Sequence, residues 1–162
     1  MRPPPERHLR HRAGETAELP ENLHLCLTAT SDSVRRTLLH LSRAMADMGI
    51  RRDTISDAEI VLAEVMNNVV EHAYGSGPPG KIELTVAHRP SRLDFVVVDD
   101  GLPMPDGRLP EKRAACIEVG RGDLPEGGFG WFLIHELVED LSYSRKDGRN
   151  TVRIGLALNE RR

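Results

Sequence analysis

The sequence predicts an α+β fold, a two-layer sandwich in which a mixed, largely antiparallel sheet carries helices on one face. Three observations predict it. Stretches of apolar alternation with period two come mostly in adjacent pairs joined by short breaks, as hairpins do. Helical stretches with apolar residues three and four apart stand between these pairs. The regular strand–helix–strand alternation of a doubly wound or P-loop arrangement is missing. With 162 residues, the chain is expected to form one domain with a substantial core.

Residues 1–20 are rich in Pro, Arg, His and Glu and read as a flexible tail, which leaves 21–162 as the globular part. Leu23, Leu25 and Leu27 alternate with polar residues, predicting a strand over 22–29. Ser31 or Ser33 is expected to cap the next helix. That helix runs to about Met48 on Val34, Leu38, Leu41 and Met45, and Gly49 stops it. Ser56 and Glu59 have the spacing of a capping box, predicting a helix from Asp57 to about Tyr74. The glycines and prolines of 75–80 form a turn. Segments 81–88 and 92–98 read as two antiparallel strands around Arg89-Pro90-Ser91. Residues 102–126 show no sustained periodicity and carry four prolines. A loop of about 25 residues is unusual in a compact domain and often serves as a functional lid, here spanning about 102–127. Gly127-Gly128-Phe129-Gly130 closes it, and a helix follows on Leu133, Ile134, Leu137, Val138 and Leu141. Two last strands, 141–144 and 151–158, flank a turn at 146–149.

Composition narrows the function classes. A net charge of −3 argues against a general nucleic-acid binder, and 4% aromatic residues offer few stacking platforms. Cys26 and Cys116 are too few for a disulfide framework or a cysteine-rich zinc site and read as ordinary thiols of a reducing cytoplasm. No apolar run approaches the roughly 18 residues a membrane helix needs. The N-terminus has no apolar signal-peptide core.

Three motifs carry chemistry. In the helix ending at Tyr74, Leu62, Met66, Val69 and Ala73 form an apolar stripe, and Glu64, Asn68, Glu71 and His72 fall on the other side. Oxygen donors one turn apart suit a hard cation; the same residues also suit a buried polar patch or a solvated face. His72 reads as a hydrogen-bonded structural residue, because no second histidine stands at a metal-ligand spacing. Asp99-Asp100-Gly101 ends a buried strand, where a carboxylate can accept from the exocyclic amine of a base; the alternative is a simple turn. Gly127-Gly128-Phe129-Gly130 opens a helix, where backbone amides and the helix dipole suit a phosphate; the alternative is a hinge. No Gly-Lys-Ser/Thr follows, so this is not a P-loop.

The order and spacing of the three motifs decide between these readings. EVMNNVVEHAY, VVVDDG and EGGFGWFLI resemble the N-box and the two glycine boxes of the GHKL-type (Bergerat) ATP-binding domain shared by gyrase B and histidine kinases. The resemblance runs from Leu23 to Leu158. It is closer to the small stand-alone anti-sigma-factor serine/threonine kinases, on the short length, the HAY ending and the absence of a histidine-bearing dimerisation helix. By this resemblance Asn68 binds the magnesium that bridges the ATP phosphates. Glu64 is the general base toward a serine hydroxyl, Asp99 reads adenine, and Gly101 gives the base room. Gly128 and Gly130, with Gly127, belong to the phosphate loop. Asn150 or Thr151 falls where the family has a threonine near the adenine. Leu102-Pro103-Met104-Pro105 replaces a frequent second glycine and implies a stiffer first half of the lid. Lys112, Arg113 and Arg121 lie in the lid as candidates to reach phosphates.

The function so implied is a cytoplasmic anti-sigma regulator. It would bind Mg-ATP, phosphorylate a Ser or Thr of an anti-anti-sigma antagonist, and hold a sigma factor in a partner-switching pathway. The helix over 31–48 and the helix after Gly130 are candidate partner or homodimer surfaces; neither nucleic acid nor a membrane is an expected partner. The alternatives are a nucleotide-binding anti-sigma module without kinase activity, a detached histidine-kinase catalytic domain, and a structural protein without a ligand. Glu64 favours the kinase over the passive module.

Overall fold

The computed structural model describes residues 23–111 and 128–158. The tail over 1–20 and the part of the lid holding Lys112, Arg113, Cys116, Arg121 and Gly127 lie outside the described residues. Five strands form one sheet: β1 (Leu23–Thr28), β2 (Lys81–His88), β3 (Arg92–Asp99), β4 (Asp140–Lys146) and β5 (Arg149–Ala157). Their spatial order is β1-β2-β3-β5-β4, and every pairing is antiparallel. The sheet is therefore antiparallel throughout the described residues rather than mixed. Helices α1 (Ser31–Asp47), α2 (Arg52–Asn68) and α3 (Gly128–Leu137) form the second layer, with α2 in contact with both others.

Strand alternation determines which side chains meet the helices. Ile82, Leu84 and Val86 on β2, Leu93, Phe95 and Val97 on β3, and Val152, Ile154 and Leu156 on β5 are buried. They pack against Val34, Leu41 and Met45 of α1, Val61, Leu62, Val65 and Met66 of α2, and Ile134 of α3 in one core. The burial of these apolar side chains, at about 1.5–3 kcal/mol each, is what holds the two layers together.

Helix boundaries differ from the expected ones for physical reasons. The cap of α1 is Thr30, one residue before the expected serines; its hydroxyl accepts from Ser33 N at 3.3 Å. Gly49 ends α1 at φ 76°, as expected. Helix α2 begins at Arg52, more than a turn before the expected Asp57, with no side-chain cap. Thr54 and Ile55 are buried, so packing extends the helix back through them. Glu59 is thereby left free of capping and accepts instead from the Ser42 hydroxyl of α1. The last turn before Gly75 is π-helical over Val69–Tyr74, a widening that often marks a functional site. The β4–β5 turn is the two residues Asp147 and Gly148, both at positive φ, which suits a tight hairpin.

Candidate functional site

Register builds the site. Asp99 of β3 stands opposite Asn150 of β5, and Asn150 stands opposite Arg145 of β4. Cross-strand partners share a face, so these three form a row at one end of the sheet. The α2 end and the π turn pass over that end, and a cavity of about 240 Å³ lies between. Asn68, His72, Asp99, Trp131, Tyr143 and Asn150 line it. Leu102, Pro103, Met104 and Pro105, the start of the expected lid, form one wall.

Asp99 is buried. Its Oδ1 accepts from Gly101 N and from Asn150 Nδ2, both at 2.8 Å. Burial pushes its carboxyl above the usual value of 3.8; the Asn150 and Gly101 bonds and the Arg145 charge oppose that rise, and Asp100 adds to it. Asn68 donates from Nδ2 to the Glu64 carbonyl oxygen at 2.6 Å, one turn back, which leaves its own carbonyl Oδ1 as an acceptor. Glu64 is half-buried, and a Cβ placed on Gly130 would fall on its carboxylate. Gly130 therefore makes the space in which Glu64 lies across the first turn of α3, where the helix dipole favours a negative charge.

Packing gives Gly101 a reason to be glycine. A Cβ there would sit 2.6 Å from Ala73 Cβ and 2.7 Å from the Ala73 carbonyl oxygen. The π turn occupies that space, and Leu102 N donates to the same Ala73 carbonyl at 2.9 Å. Tyr74 fastens the turn further: its hydroxyl donates to Lys81 O at 3.0 Å and accepts from Asp100 N at 3.1 Å.

The structure thus brings Asn68, Asp99 and Asn150 to one cavity, with Glu64 and Gly130 in contact and Gly101 against the π turn. Gly128 lies in the first turn of α3 rather than ahead of the helix, and Gly127 lies outside the described residues. Thr151 pairs with Val98, and the alternation turns it to the other face of the sheet, away from the cavity. Tyr143 and Arg145 were not expected. Tyr143 OH donates to Asn150 Oδ1 at 2.8 Å, and Arg145 Nη1 donates to the same oxygen at 2.6 Å. The signal that could have found them is the Asp147-Gly148 turn, which sets Arg145 opposite Asn150.

The donors present fit a cation that takes most of its ligands from water and phosphate. Among the described residues no three His, Cys, Asp or Glu side chains cluster as a metal site. Asn68 Oδ1 beside an open cavity suits magnesium, which keeps several waters and takes substrate phosphates in place of a protein cage.

The Histidine kinase-like ATPase domain family model matches residues 27–156. The serine-protein kinase RsbW of Bacillus thuringiensis (strain Al Hakam) is 28% identical over 130 residues, which is 79% of this chain and 80% of that protein. The serine-protein kinase RsbW of Bacillus anthracis (strain CDC 684 / NRRL 3495) is 28% identical over 129 residues, with the same shares. Among solved structures, the chain is similar to the RsbU and RsbW domains of Rv1364c from Mycobacterium tuberculosis, with a TM-score of 0.60 and 21% identity. That match takes in 90% of this chain and 34% of the other, and it speaks to the fold. The family match spans most of the chain and agrees with the two-layer sandwich, so the protein belongs to the histidine kinase-like ATPase domain family.

Proposed function

We propose that the protein is an ATP-dependent serine/threonine kinase of the anti-sigma type, acting on an anti-anti-sigma antagonist and holding a sigma factor by turns. The observation that carries this reading is the pairing of a base-sized cavity ending in Asp99 with a carboxylate, Glu64, laid against the glycine start of α3. The names of the relatives, serine-protein kinases at 28% identity, point the same way.

In this reading the base enters between the π turn and the Leu102–Met104 wall and meets Asp99. The triphosphate runs toward Asn68 and the first turn of α3, whose backbone amides and dipole suit phosphate oxygens. Asn68 is the residue that would hold magnesium, whose chemistry is to offset negative charge on the phosphates. The serine oxygen of the antagonist bonds to the γ-phosphorus as the bond to the β-phosphate oxygen breaks and ADP leaves. The serine proton passes to the Glu64 carboxylate. Phosphoryl transfer needs mainly positioning and charge stabilisation, so a lid and a rigid floor suit it.

Incubation with γ-labelled ATP and an anti-anti-sigma protein tests the reading. Acid-stable label on the antagonist is expected. Acid-labile label would indicate a histidine kinase domain. ATP binding without transfer would indicate a passive binding module.

A further inference from the structure

We infer that Asn150 makes no bond to the nucleotide and is instead the positioning residue for Asp99, locked in that role by Tyr143 and Arg145. The inference rests on the ATP reading of the cavity and deepens it. A carboxamide offers two N–H donors and two acceptor lone pairs. All four are in use at Asn150. Nδ2 donates to Asp99 Oδ1 at 2.8 Å and to the Leu102 carbonyl at 2.9 Å. Oδ1 accepts from Tyr143 OH at 2.8 Å and from Arg145 Nη1 at 2.6 Å. With the residue 3% exposed, no side-chain donor or acceptor is left for a base.

The two donors on Oδ1 also fix the orientation of the amide. Met104 N donates to Tyr143 OH at 3.1 Å, so that hydroxyl is turned to give its own proton to Asn150. A flipped amide would set its N–H groups against the donor-only Arg145 guanidinium and its oxygen against Asp99 Oδ1, so Nδ2 must face Asp99. Asp99 Oδ1 is then filled by Asn150 and Gly101 N. Oδ2 takes no hydrogen bond from the described residues and is the oxygen available to a ligand. The network turns a carboxylate with two equal oxygens into one presenting a single acceptor. Such a site selects a purine with an amine at position 6 over one with an oxo group, whose oxygen would face Oδ2 acceptor to acceptor.

The same bonds fasten the start of the lid. Arg145 Nη1 donates to Gly101 O at 2.9 Å, and Tyr143 and Asn150 hold Met104 N and Leu102 O. The base therefore meets a fixed wall from Gly101 to Met104.

The test is calorimetric titration of the full chain and its variants with Mg-ATP and with Mg-ITP, which carries oxo in place of the amine. The parent chain should prefer ATP, and Asp99→Ala should abolish the preference. Tyr143→Phe keeps the ring and removes the hydroxyl. It should weaken ATP about 3–10-fold, the range of one misplaced hydrogen bond, and leave ITP unchanged. Asn150→Ala should reduce the ATP/ITP ratio further; should it fail to fold, Tyr143→Phe alone decides. If Asp99→Ala abolishes the preference and Tyr143→Phe leaves the ratio intact, or weakens both nucleotides equally, the positioning role is overturned and the ATP reading stands. A parent chain that binds no ATP, or an Asp99→Ala variant that keeps the preference, overturns both.

Discussion

At the scale of single residues, burial of Asp99 sets stability against the ATP-binding role proposed for it. Its carboxyl is raised above the usual 3.8 mainly by burial. The folded state thus holds that proton more tightly than the unfolded chain. Stability from this group is fully present below the ordinary value and is lost as pH rises through the raised one. Near neutral pH an ionised Asp99 therefore costs stability. Asp99→Asn keeps an acceptor for Gly101 N and Asn150 Nδ2 and removes the charge. Its Tm should exceed the parent's near neutral pH, with the gap closing toward about pH 4, while ATP binding is lost. A lower Tm at neutral pH would show that the charge is compensated by its neighbours. Glu64 is the carboxylate that takes the serine proton in the proposed mechanism. Glu64→Gln preserves the volume that Gly130 accommodates, so nucleotide binding should persist while transfer falls about 10²–10⁴-fold, the worth of a general base. Full transfer in single-turnover assays would put the base elsewhere.

At the scale of elements, the π turn at Val69–Tyr74 joins the helix layer to the site. It brings Ala73 against Gly101, where even one added methyl has no room. Gly101→Ala should lose about 1–3 kcal/mol in urea unfolding, as overpacked cores do. Ala73→Gly should not rescue it, because the Ala73 carbonyl oxygen and carbon, at 2.7 and 2.9 Å, belong to the backbone. Rescue would mean that the two methyls alone collide. This turn also marks how far the sequence could be read. Period-two alternation revealed β1 and β2, a continuous apolar run revealed β3, the turn at 146–149 set off β4 and β5, and the stripe Leu62, Met66, Val69 revealed the buried face of α2. The start of α2 was not legible, because packing of Thr54 and Ile55 overrode a sound capping signal at Ser56. The extra π residue leaves no mark in an apolar pattern this short. Among site residues, Glu64, Asn68 and Asp99 stood out through residue type and spacing. Tyr143 and Arg145 did not, since their partner lies on the next strand and depends on register.

At the scale of the whole molecule, the cavity lies where all the layers meet. Its lining comes from α2, the π turn, β3, the lid wall, α3 and the β4–β5 hairpin. A ligand there touches elements far apart in sequence, so its binding energy opposes global unfolding. At a hundred times Kd, one bound ligand stabilises the folded state by about 2.7 kcal/mol. In a domain of this size that raises Tm by about 5–11 °C. In the proposed binding mode Asn68 divides this effect into two parts, because its Oδ1 would be the protein oxygen offered to magnesium, while the base end would depend on Asp99. Scanning calorimetry of the parent chain with ATP should show a large Tm shift with magnesium and a small one with chelator. Asn68→Ala should show the small shift under both conditions. The backbone bond that Asn68 makes to Glu64 is lost in that variant, so its ligand-free Tm supplies the baseline for each shift. A parent shift that is the same with and without chelator would remove magnesium from Asn68, and would leave the base end of the site as the sole anchor of the nucleotide.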